Sequence, residues 1–225
     1  MFLSDRTYGD FMSVKGSDKE KNEQEYIESW EKVYSQKENP FDVNEPYEWV
    51  VELEAQGKIS GLVLDSGCGT GDNALYLAAK GHAVLGIDIS TKAVERAKEK
   101  AAEKGIENAE FLQLNIFKLT GYDERFGAVI DIGCFHSLHE DDREKYVIML
   151  KNACKAGAVI FLRAFSTANA KREGYRGPHV SEEQIRAAFS DGWRIDRLEQ
   201  KDVDVKLSAR ETVKTYAWFA EIVRL

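Results

Sequence analysis

Short apolar runs alternate with stretches of helical spacing from residue 59 to the end of the chain. The apolar runs predict strands at residues 61–65, 83–88, 110–114, 128–132, 158–162, 193–198 and 212–223. Between them, apolar residues recur every three or four positions, as in Ala93, Ala97 and Ala101, which is typical of a helix with one buried face. Strands that alternate with helices favour a parallel sheet flanked by helices. The pattern therefore predicts an α/β fold.

Local signals predict where several of these elements begin and end. Ser90 is suited to cap a helix that runs to Lys104 and is closed by Gly105. Residues 141–144 and 181–184 each resemble a capping box, in which the first and fourth residues satisfy free N–H groups at a helix start. We expect the acidic stretch between the last two strands to be a solvated loop.

The residues before position 59 do not follow this pattern. Residues 1–25 are polar and charged, and we expect a mobile or weakly helical lead-in there. Residues 26–58 carry many aromatic side chains among charged ones, which favours a helical cap docked on the core at 59–225. Because no internal repeat or low-complexity segment is present, residues 26–225 are predicted to form a single domain.

Composition and charge exclude several classes of protein. The formal net charge is −8, from 31 basic and 39 acidic residues, which opposes a nucleic-acid partner. Cys68, Cys134 and Cys154 lack metal-type spacing, so neither a metal site nor a disulfide framework is expected. The apolar stretches are too short to span a bilayer, and residues 1–6 do not resemble a secretory signal. These features predict a cytoplasmic protein with no membrane partner, and they leave its oligomeric state open.

A glycine-rich turn follows the first predicted strand. Gly67, Gly69 and Gly71 form a G-x-G-x-G pattern, and such glycines let a ligand approach the main chain closely. The second predicted strand ends at Asp88, an acid placed to accept hydrogen bonds from two ribose hydroxyls. Since ligands of open α/β sheets lie beyond the carboxyl ends of the strands, these residues predict a nucleoside site.

The nucleoside could be part of a dinucleotide or of a sulfonium cofactor. Dinucleotide sites use a G-x-G-x-x-G pattern and direct the following helix start at a pyrophosphate. In this chain Asp72 stands where the last glycine would be, and an acid there would repel a pyrophosphate but tolerate a positive sulfonium. The glycine spacing, Asp72 and Asp88 together favour the sulfonium ligand.

Residues 59–165 resemble the class I S-adenosylmethionine-dependent methyltransferases. The resemblance rests on residues 64–72, 86–90 and 126–131, which match three motifs of that family in order. Residues 155–158 stand where many members have a Lys-Pro-Gly-Gly turn and depart from it at two positions. The resemblance implies a Rossmann-like methyltransferase fold with a mostly parallel seven-stranded sheet, helices on both faces and an antiparallel last strand. It also implies S-adenosyl-L-methionine as the cofactor and S-adenosyl-L-homocysteine as its product.

Further segments resemble enzymes that methylate small molecules. Residues 30–34 and 39–42 are similar to the cap of thiopurine and thiol methyltransferases. Residues 133–143 and 177–181 resemble a group that includes heterocyclic-toxin methyltransferases and tellurite-resistance-like proteins. This likeness implies a small-molecule acceptor with a sulfur, nitrogen or oxygen nucleophile.

The resemblance also implies cofactor contacts at the strand ends. The glycine turn would line the methionine and ribose, Asp65 would lie near the cofactor's amino end, and Asp88 would hold the ribose hydroxyls. Asn115 stands where many members have an Asp that meets the adenine amine, and its amide oxygen can also accept. For Asp131, the loop backbone is an alternative partner to the cofactor. The predicted cofactor-binding residues are Asp65, Gly67, Cys68, Gly69, Gly71, Asp88, Ile89, Asn115, Ile116, Asp131 and Gly133.

On the acceptor side, His136 follows the fourth predicted strand, where the transferred methyl should point. It is the candidate general base for a hydroxyl acceptor, and the alternative is a histidine that only packs the loop. A thiolate or a ring nitrogen of low pKa would need no base.

Six other residues are candidates for binding the acceptor. They are Trp30, Tyr34, Phe41, Phe135, Arg163 and Tyr175. The first three could form an aromatic lid over a flat acceptor, or they could pack the cap onto the core. Arg163 lies near the end of a strand, where its charge requires a partner or an anionic substrate.

Two other functions compete with small-molecule methylation. Methylation of a macromolecule such as tRNA or protein is opposed by the acidic charge and by the absence of an Asn/Asp-Pro-Pro-Tyr/Phe motif. A non-catalytic cofactor-binding or dehydrogenase-like module is opposed, in its dehydrogenase form, by the glycine spacing.

Overall fold

The computed structural model describes residues 19–36, 39, 41–171, 178–208 and 211–225. Its elements, in chain order, are α1 (Lys19–Tyr34), α2 (Glu48–Ala55), β1 (Leu62–Ser66), α3 (Asp72–Ala79), β2 (Val84–Asp88), α4 (Thr91–Lys104), β3 (Ala109–Gln113), β4 (Phe126–Ile132), α5 (Cys134–Ser137), α6 (Glu140–Ala153), β5 (Cys154–Phe165), α7 (Glu182–Ala188), β6 (Trp193–Ser208) and β7 (Glu211–Arg224). Within the described part of the chain, no helix is both long and apolar enough to cross a membrane.

The seven strands form one sheet in the order β3-β2-β1-β4-β5-β7-β6. The strands from β3 to β5 pair in parallel, and β7 runs antiparallel to both β5 and β6. The chain order reverses at β1, which lies between β2 and β4, and such a reversal opens a crevice at the carboxyl ends of the strands. The predicted mostly parallel, seven-stranded sheet with an antiparallel last strand is confirmed.

Helices cover both faces of the sheet. Successive strand residues point to opposite faces, so Val63 and Leu64 are buried in separate apolar clusters. Leu64 lies in a cluster with Tyr146 of α6 and Ile185 of α7. Val63 lies in a cluster with Leu53 of α2 and with residues of α3 and α4. The core therefore has two layers, and the loops at the strand ends lie between the helix layers.

Two of the predicted helix ends are confirmed in atomic detail. The hydroxyl of Ser90 accepts from Ala93 N at 3.2 Å, and Gly105 closes α4 at a φ of 65°. At the start of α7, Ser181 Oγ accepts from Gln184 N, and Gln184 Oε1 accepts from Ser181 N. These signals are local, so they do not depend on the rest of the fold.

The capping box predicted at residues 141–144 is wrong. Helix α6 begins at Glu140, and its N-cap is His139, whose Nδ1 accepts from Asp141 N at 3.4 Å. Three consecutive acids occupy the first turn. Negative charge is favourable at a helix N-terminus, so this acidic run suits an earlier start.

The solvated loop predicted between the last two strands is also wrong. Strands β6 and β7 continue as a long hairpin that pairs from Trp193 and Arg224 out to Ser208 and Glu211. Apolar and acidic residues alternate in residues 202–205, and this period-two pattern fits an edge strand with one polar face. The high acidic content of this stretch suggested a loop, and the alternation of apolar and acidic residues was overlooked.

Helix α1 begins at Lys19, within the stretch predicted as a lead-in to residue 25. Residues 1–18 lie outside the described residues. The helix crosses the boundary proposed at residue 26. Residues before and after that boundary contact the core.

A buried lysine joins the cap to the sheet core. Lys100 of α4 is 2% exposed, and its Nζ lies 2.5 Å from Asp42 Oδ1, 2.8 Å from Asp72 Oδ1 and 2.9 Å from Thr70 Oγ1. Burial acts to raise the pKa of Asp42, but the hydrogen bond and charge of Lys100 outweigh it and lower that pKa. One cation thus holds the loop after α1, the glycine turn and α4 together.

Replacing this lysine is expected to destabilise the protein. Lys100→Met would leave two neighbouring carboxylates without a cation, of which Asp42 is 25% and Asp72 11% exposed. Water screens part of the repulsion, so we expect a loss of roughly 2–4 kcal/mol in the free energy of unfolding, measured with urea. The control Lys98→Met, on an exposed position of the same helix, should change it by less than about 0.5 kcal/mol. Equal losses in the two variants would contradict the role of Lys100.

Candidate active site

The turn after β1 consists of glycines in left-handed conformations. Gly67, Gly69 and Gly71 have φ values of 68°, 55° and 81°, where a residue with a Cβ is strained. At Gly69 a Cβ would also lie 2.8 Å from the hydroxyl of Tyr34, so the cap helix packs directly on the main chain of the turn. The glycine pattern therefore folds as a close-approach turn.

Asp88 ends β2 and faces this turn. Its Oδ2 accepts from Gly69 N and its Oδ1 from Ser90 N, both at 2.9 Å, and the residue is 7% exposed. Each carboxylate oxygen has a further lone pair, so the group can accept additional hydrogen bonds. Burial raises the pKa of Asp88 to about 6 against the effect of these hydrogen bonds, and the charge of Glu31 also raises it.

Asp65 lies beneath the turn. Its Oδ2 accepts from Ala74 N at 3.1 Å, so this carboxylate holds the start of α3. Burial raises the pKa of Asp65 to about 7, and the charges of Asp88 and Asp131 contribute to the rise. The described contacts give Asp65 a structural role, and its predicted contact with the cofactor's amino end remains a prediction.

Asp131 near the end of β4 has its partners within the protein. Its carboxylate accepts from Cys134 N at 2.8 Å, from Phe135 N at 3.1 Å and from the hydroxyl of Tyr146 at 2.8 Å. The residue is completely buried, and burial raises its pKa to about 6. Of the two alternatives left open by the sequence, the structure shows the loop backbone, which favours a structural role over the cofactor contact.

These three buried carboxylates predict an unusual dependence of stability on pH. In the unfolded chain their pKa values are near the ordinary value of 3.8, whereas in the folded protein they are raised to about 6 or 7. A raised folded pKa contributes stability at low pH that is lost as the pH rises through that value. The ligand-free protein is therefore expected to lose free energy of unfolding between about pH 5 and pH 7.

The substitution Asp65→Asn tests the origin of this loss. It keeps an oxygen that can accept from Ala74 N but removes a titrating group, so the loss between about pH 5 and pH 7 should shrink by roughly 2 kcal/mol. Chemical unfolding at several pH values measures it, with the exposed Asp123→Asn as control. Identical pH profiles in the wild type and Asp65→Asn would contradict the assignment.

The cap helix α1 crosses the carboxyl ends of the strands on one side of the sheet. Glu31 accepts from Thr91 N at 2.5 Å and from Ser90 Oγ at 3.2 Å, after β2. Further along the sheet, Glu23 accepts from Asn115 Nδ2 at 2.7 Å, after β3. The last turn of α1 also contacts the glycine turn after β1. Helix α1 therefore covers the half of the edge that is formed by β3, β2 and β1.

Asn115 is committed to contacts within the protein. Its Oδ1 accepts from Phe117 N at 3.1 Å and caps a short 3-10 helix at Ile116–Lys118, in which Ile116 is buried. The predicted contact of Asn115 with adenine would require its amide to change partners. The remaining predicted cofactor residues lie on the same edge, namely Cys68, whose N donates to Ile87 O, Ile89, whose O accepts from Gln113, and Gly133, which caps α5.

The predicted aromatic residues of the cap form one cluster. The Trp30 ring stacks on Tyr34 with centroids 6.1 Å apart and meets Phe41 edge-on at 6.0 Å. Through Tyr34 the cluster lies against Gly69, on the half of the edge that α1 covers. Its position favours packing over the ends of β3, β2 and β1 rather than contact with an acceptor beside β4.

His136 is buried beside the end of β5. Its Nδ1 accepts from Phe165 N at 3.4 Å, and its ring centroid lies 5.0 Å from that of Phe165. This hydrogen bond assigns the proton of the neutral ring to Nε2. Burial lowers the pKa of His136 well below its usual value, and the charges of Arg163 and Arg143 lower it further. A neutral ring that already carries a proton on Nε2 is poorly suited to act as a base, which opposes the predicted role.

Phe135 does not occupy the predicted position beside an acceptor. It is completely buried, with its ring centroid 5.6 Å from Phe189 and 6.2 Å from Tyr146. The short helix α5 turns this side chain into the core because Asp131 binds its main-chain N–H. Tyr175 lies outside the described residues.

Arg163 of β5 is buried between aromatic rings. Its guanidinium carbon lies 4.1 Å from the ring centroid of Phe165 and 5.4 Å from that of Tyr47. Neither Phe165 nor Tyr47 is among the site residues predicted from the sequence. Tyr47 could have been identified from sequence because it belongs to the aromatic-rich stretch of the cap. No local pattern in the sequence distinguishes Phe165 as a site residue.

Two surface cavities lie near these elements. One of about 380 Å³ is lined by the loop after β3 and by α6, including Tyr122 and Ile148, and touches none of the predicted site residues. The other, of about 310 Å³, lies between the cap and α4 and includes Tyr34 and Arg96. Neither is lined by Asp88, which α1 and the glycine turn cover.

Comparison with known proteins places this architecture in a class and a family. The sheet order and the glycine turn facing an acid at the next strand end are those of a Rossmann-like methyltransferase fold. The family model of thiopurine S-methyltransferase matches residues 26–225. The chain belongs to the thiopurine S-methyltransferase family.

Individual proteins resemble this chain in sequence, in fold or in both. The 2-heptyl-1-hydroxyquinolin-4(1H)-one methyltransferase of Mycobacteroides abscessus is 40% identical over 160 residues, which cover 71% of this chain and 70% of that protein. A structure from work on the conversion of a disulfide bond into a thioacetal group during echinomycin biosynthesis is 31% identical, with a TM-score of 0.79 and coverage of 88% of this chain and 92% of the other. The Burkholderia thailandensis 1,6-didemethyltoxoflavin-N1-methyltransferase, with bound 1,6-didemethyltoxoflavin and S-adenosylhomocysteine, shares the fold at 18% identity, a TM-score of 0.65 and coverage of 95% and 93%.

Proposed function

We propose that this chain is an S-adenosylmethionine-dependent methyltransferase that acts on a small molecule through a sulfur, nitrogen or oxygen nucleophile. The observation that carries the proposal is the carboxylate of Asp88, held by Gly69 N at the point where β1 and β2 end. Two of the compared proteins are named for methylating heterocycles, which supports a heterocyclic acceptor. The family is named for methylating sulfur, which supports a thiol acceptor. The net charge of −8 supports a small molecule over a nucleic acid.

The residues of the β1–β2 edge fit this cofactor. Asp88 keeps free lone pairs for the ribose hydroxyls, and Gly67, Gly69 and Gly71 have no Cβ atoms that would obstruct the main chain of the turn. Three buried carboxylates with raised pKa values suit a ligand with net positive charge. When bound, the cofactor supplies a methyl group activated by a positively charged sulfur.

The structure changes the reason for excluding a dinucleotide. Asp72 is paired with Lys100 at 2.8 Å, so its charge is largely compensated and would repel a pyrophosphate less than the sequence implies. Instead, Asp65 occupies Ala74 N, a donor at the start of α3 that a phosphate would use. Close to this helix start, Asp65 and Asp88 oppose a second negative charge.

Methyl transfer from a sulfonium requires mainly that donor and acceptor are aligned and water is excluded. In this chain α1 covers the nucleoside half of the edge, whereas Arg163 and His136 lie at the ends of β4 and β5. We therefore assign the acceptor to the β4–β5 half. His136 orients the acceptor through its Nε2 proton, and no protein base is required.

The direct test is a methyl-transfer assay with S-adenosylmethionine and a panel of thiols, heterocyclic amines, hydroxyheterocycles and phenols. S-adenosylhomocysteine and the methylated product are detected together, so that both halves of the reaction are seen. Turnover of at least one small molecule supports the proposal. Methylation of tRNA or protein, with no small molecule accepted, would contradict it.

Asp88→Ala is expected to weaken cofactor binding. Two charge-assisted hydrogen bonds to the ribose would be lost, so the dissociation constant of S-adenosylhomocysteine should rise by more than about tenfold in calorimetry. In the wild type, affinity should also fall as the pH drops below about 6, because the carboxyl of Asp88 becomes protonated. The exposed Asp202→Ala is the control, and an unchanged affinity in Asp88→Ala would show that the ribose lies elsewhere.

His136→Gln separates orientation from base catalysis. Glutamine can accept from Phe165 N and donate from its amide, so turnover should fall by less than about tenfold at all pH values. Loss of a general base would instead cost about a hundredfold or more and remove a limb of the pH–rate profile. Cofactor affinity is measured in parallel to show that the variant is folded. A loss of turnover of about a hundredfold or more would show that His136 acts as the general base.

A further inference from the structure

Arg163 is a buried cation for which the described residues provide no counter-charge. It is 6% exposed, and its Nε has no hydrogen-bond acceptor among the residues that the structure describes. The arginine ion pairs among the described residues belong to other positions, namely Arg96, Arg186, Arg194 and Arg197. A buried charge without a partner is costly, so this arrangement requires an explanation.

The groups around Arg163 add positive rather than negative charge. Both Arg163 and Arg143 lower the pKa of His136, and His179 acts in the same direction. The rings of Phe165 and Tyr47 stabilise a cation but carry no net charge. Arg143 is also buried, and its Nε lacks an acceptor within the described ranges, although the charge of Glu140 compensates part of its own. This corner of the molecule is therefore electropositive, in a protein whose net charge is −8.

Arg163 lies where the proposed function places the methyl acceptor. Arg163 pairs in register with Ile132 at the end of β4, and Phe165 two residues later binds His136. The carboxylates of Asp65 and Asp88 lie toward the opposite half, at the ends of β1 and β2. Asp131 at the end of β4 is the exception, and its carboxylate is bound by Cys134 N, Phe135 N and the hydroxyl of Tyr146. Apart from Asp131, the carboxylates lie at the β1–β2 half of the edge and the buried arginine lies at the β5 side.

We infer that Arg163 binds the methyl acceptor as an anion, with the deprotonated nucleophile or the charge delocalised from it facing the guanidinium. The inference rests on the proposed function and specifies its substrate class: thiols and hydroxyheterocycles acidic enough to ionise near neutral pH. The acceptor loses its proton to solvent before transfer. Its lone pair then forms the bond to the methyl carbon, while the electron pair of the carbon–sulfur bond stays on the cofactor sulfur. The negative acceptor and the positive sulfonium both become neutral, which explains a site without a base.

The test uses the full chain and acceptors that differ in ionisation. At about pH 8, 4-nitrophenol and benzenethiol are largely ionised, whereas phenol is not. We expect kcat/KM for the ionised pair to exceed that for phenol by at least about tenfold. Arg163→Met should raise KM for the ionised acceptors by at least about tenfold, whereas Arg163→Lys should recover part of the loss. The surface variant Arg194→Met, which removes an exposed arginine paired with Asp196, should behave as the wild type.

Each outcome bears on a defined part of the account. A preference for phenol, or an unchanged KM in Arg163→Met, would overturn the inference. Binding of S-adenosylmethionine without turnover of either ionised acceptor would also overturn it while leaving the cofactor assignment intact. Absence of cofactor binding would instead refute the proposed function. If Arg163→Met does not fold, the wild type decides: KM for 4-nitrophenol must fall as the pH rises through the pKa of that phenol.

Discussion

Buried carboxylates at the ends of β1, β2 and β4 hold the functional edge of this protein together. Asp65, Asp88 and Asp131 each accept hydrogen bonds from main-chain N–H groups of a neighbouring loop or helix start. The glycine turn, the start of α3 and the start of α5 are positioned by these contacts. Burial raises the pKa of each carboxyl, and at Asp65 the charges of Asp88 and Asp131 add to the rise. When ionised, these groups concentrate negative charge at this edge of the ligand-free protein.

The rest of the edge is arranged around that charge. A positive ligand at the β1–β2 half would relieve the mutual repulsion, as a sulfonium cofactor would. Toward β5 the sign reverses, because Arg163 is buried there without an ion-pair partner among the described residues and Arg143 lies nearby. Two reactants of opposite charge would therefore each be bound on the half that compensates them. The cap fits this division, since Glu31 and the Asp42–Lys100 pair bind α1 and its following loop to the acidic half.

Much of the fold could be predicted from short-range sequence signals, whereas the direction of individual side chains could not. The helix from Ser90 to Gly105 and the capping box at Ser181 depend on residues a few positions apart, so the sequence alone identifies them. Phe135 and His136 follow the same strand, yet the turn of α5 directs one into the core and the other toward β5. A strand-end position predicts that a residue lies on the edge, but it does not predict which way the side chain points.

Long-range pairs explain most of what the sequence analysis missed. Lys100 is one of several lysines on α4, and its burial depends on Asp42, which lies 58 positions away in the chain. The structural role of Asp131 likewise follows from Tyr146 of a separate helix. By contrast, Arg163 could be singled out from sequence, because a charge near the end of an apolar strand always requires a partner.

The central claim is that the β1–β2 edge binds a positively charged nucleoside cofactor without phosphate. Calorimetric titration of the wild-type protein with S-adenosylmethionine, S-adenosylhomocysteine and NAD tests it most directly. The account predicts saturable binding of both sulfur compounds and no heat from NAD. Binding of NAD, with no response to either sulfur compound, would contradict it.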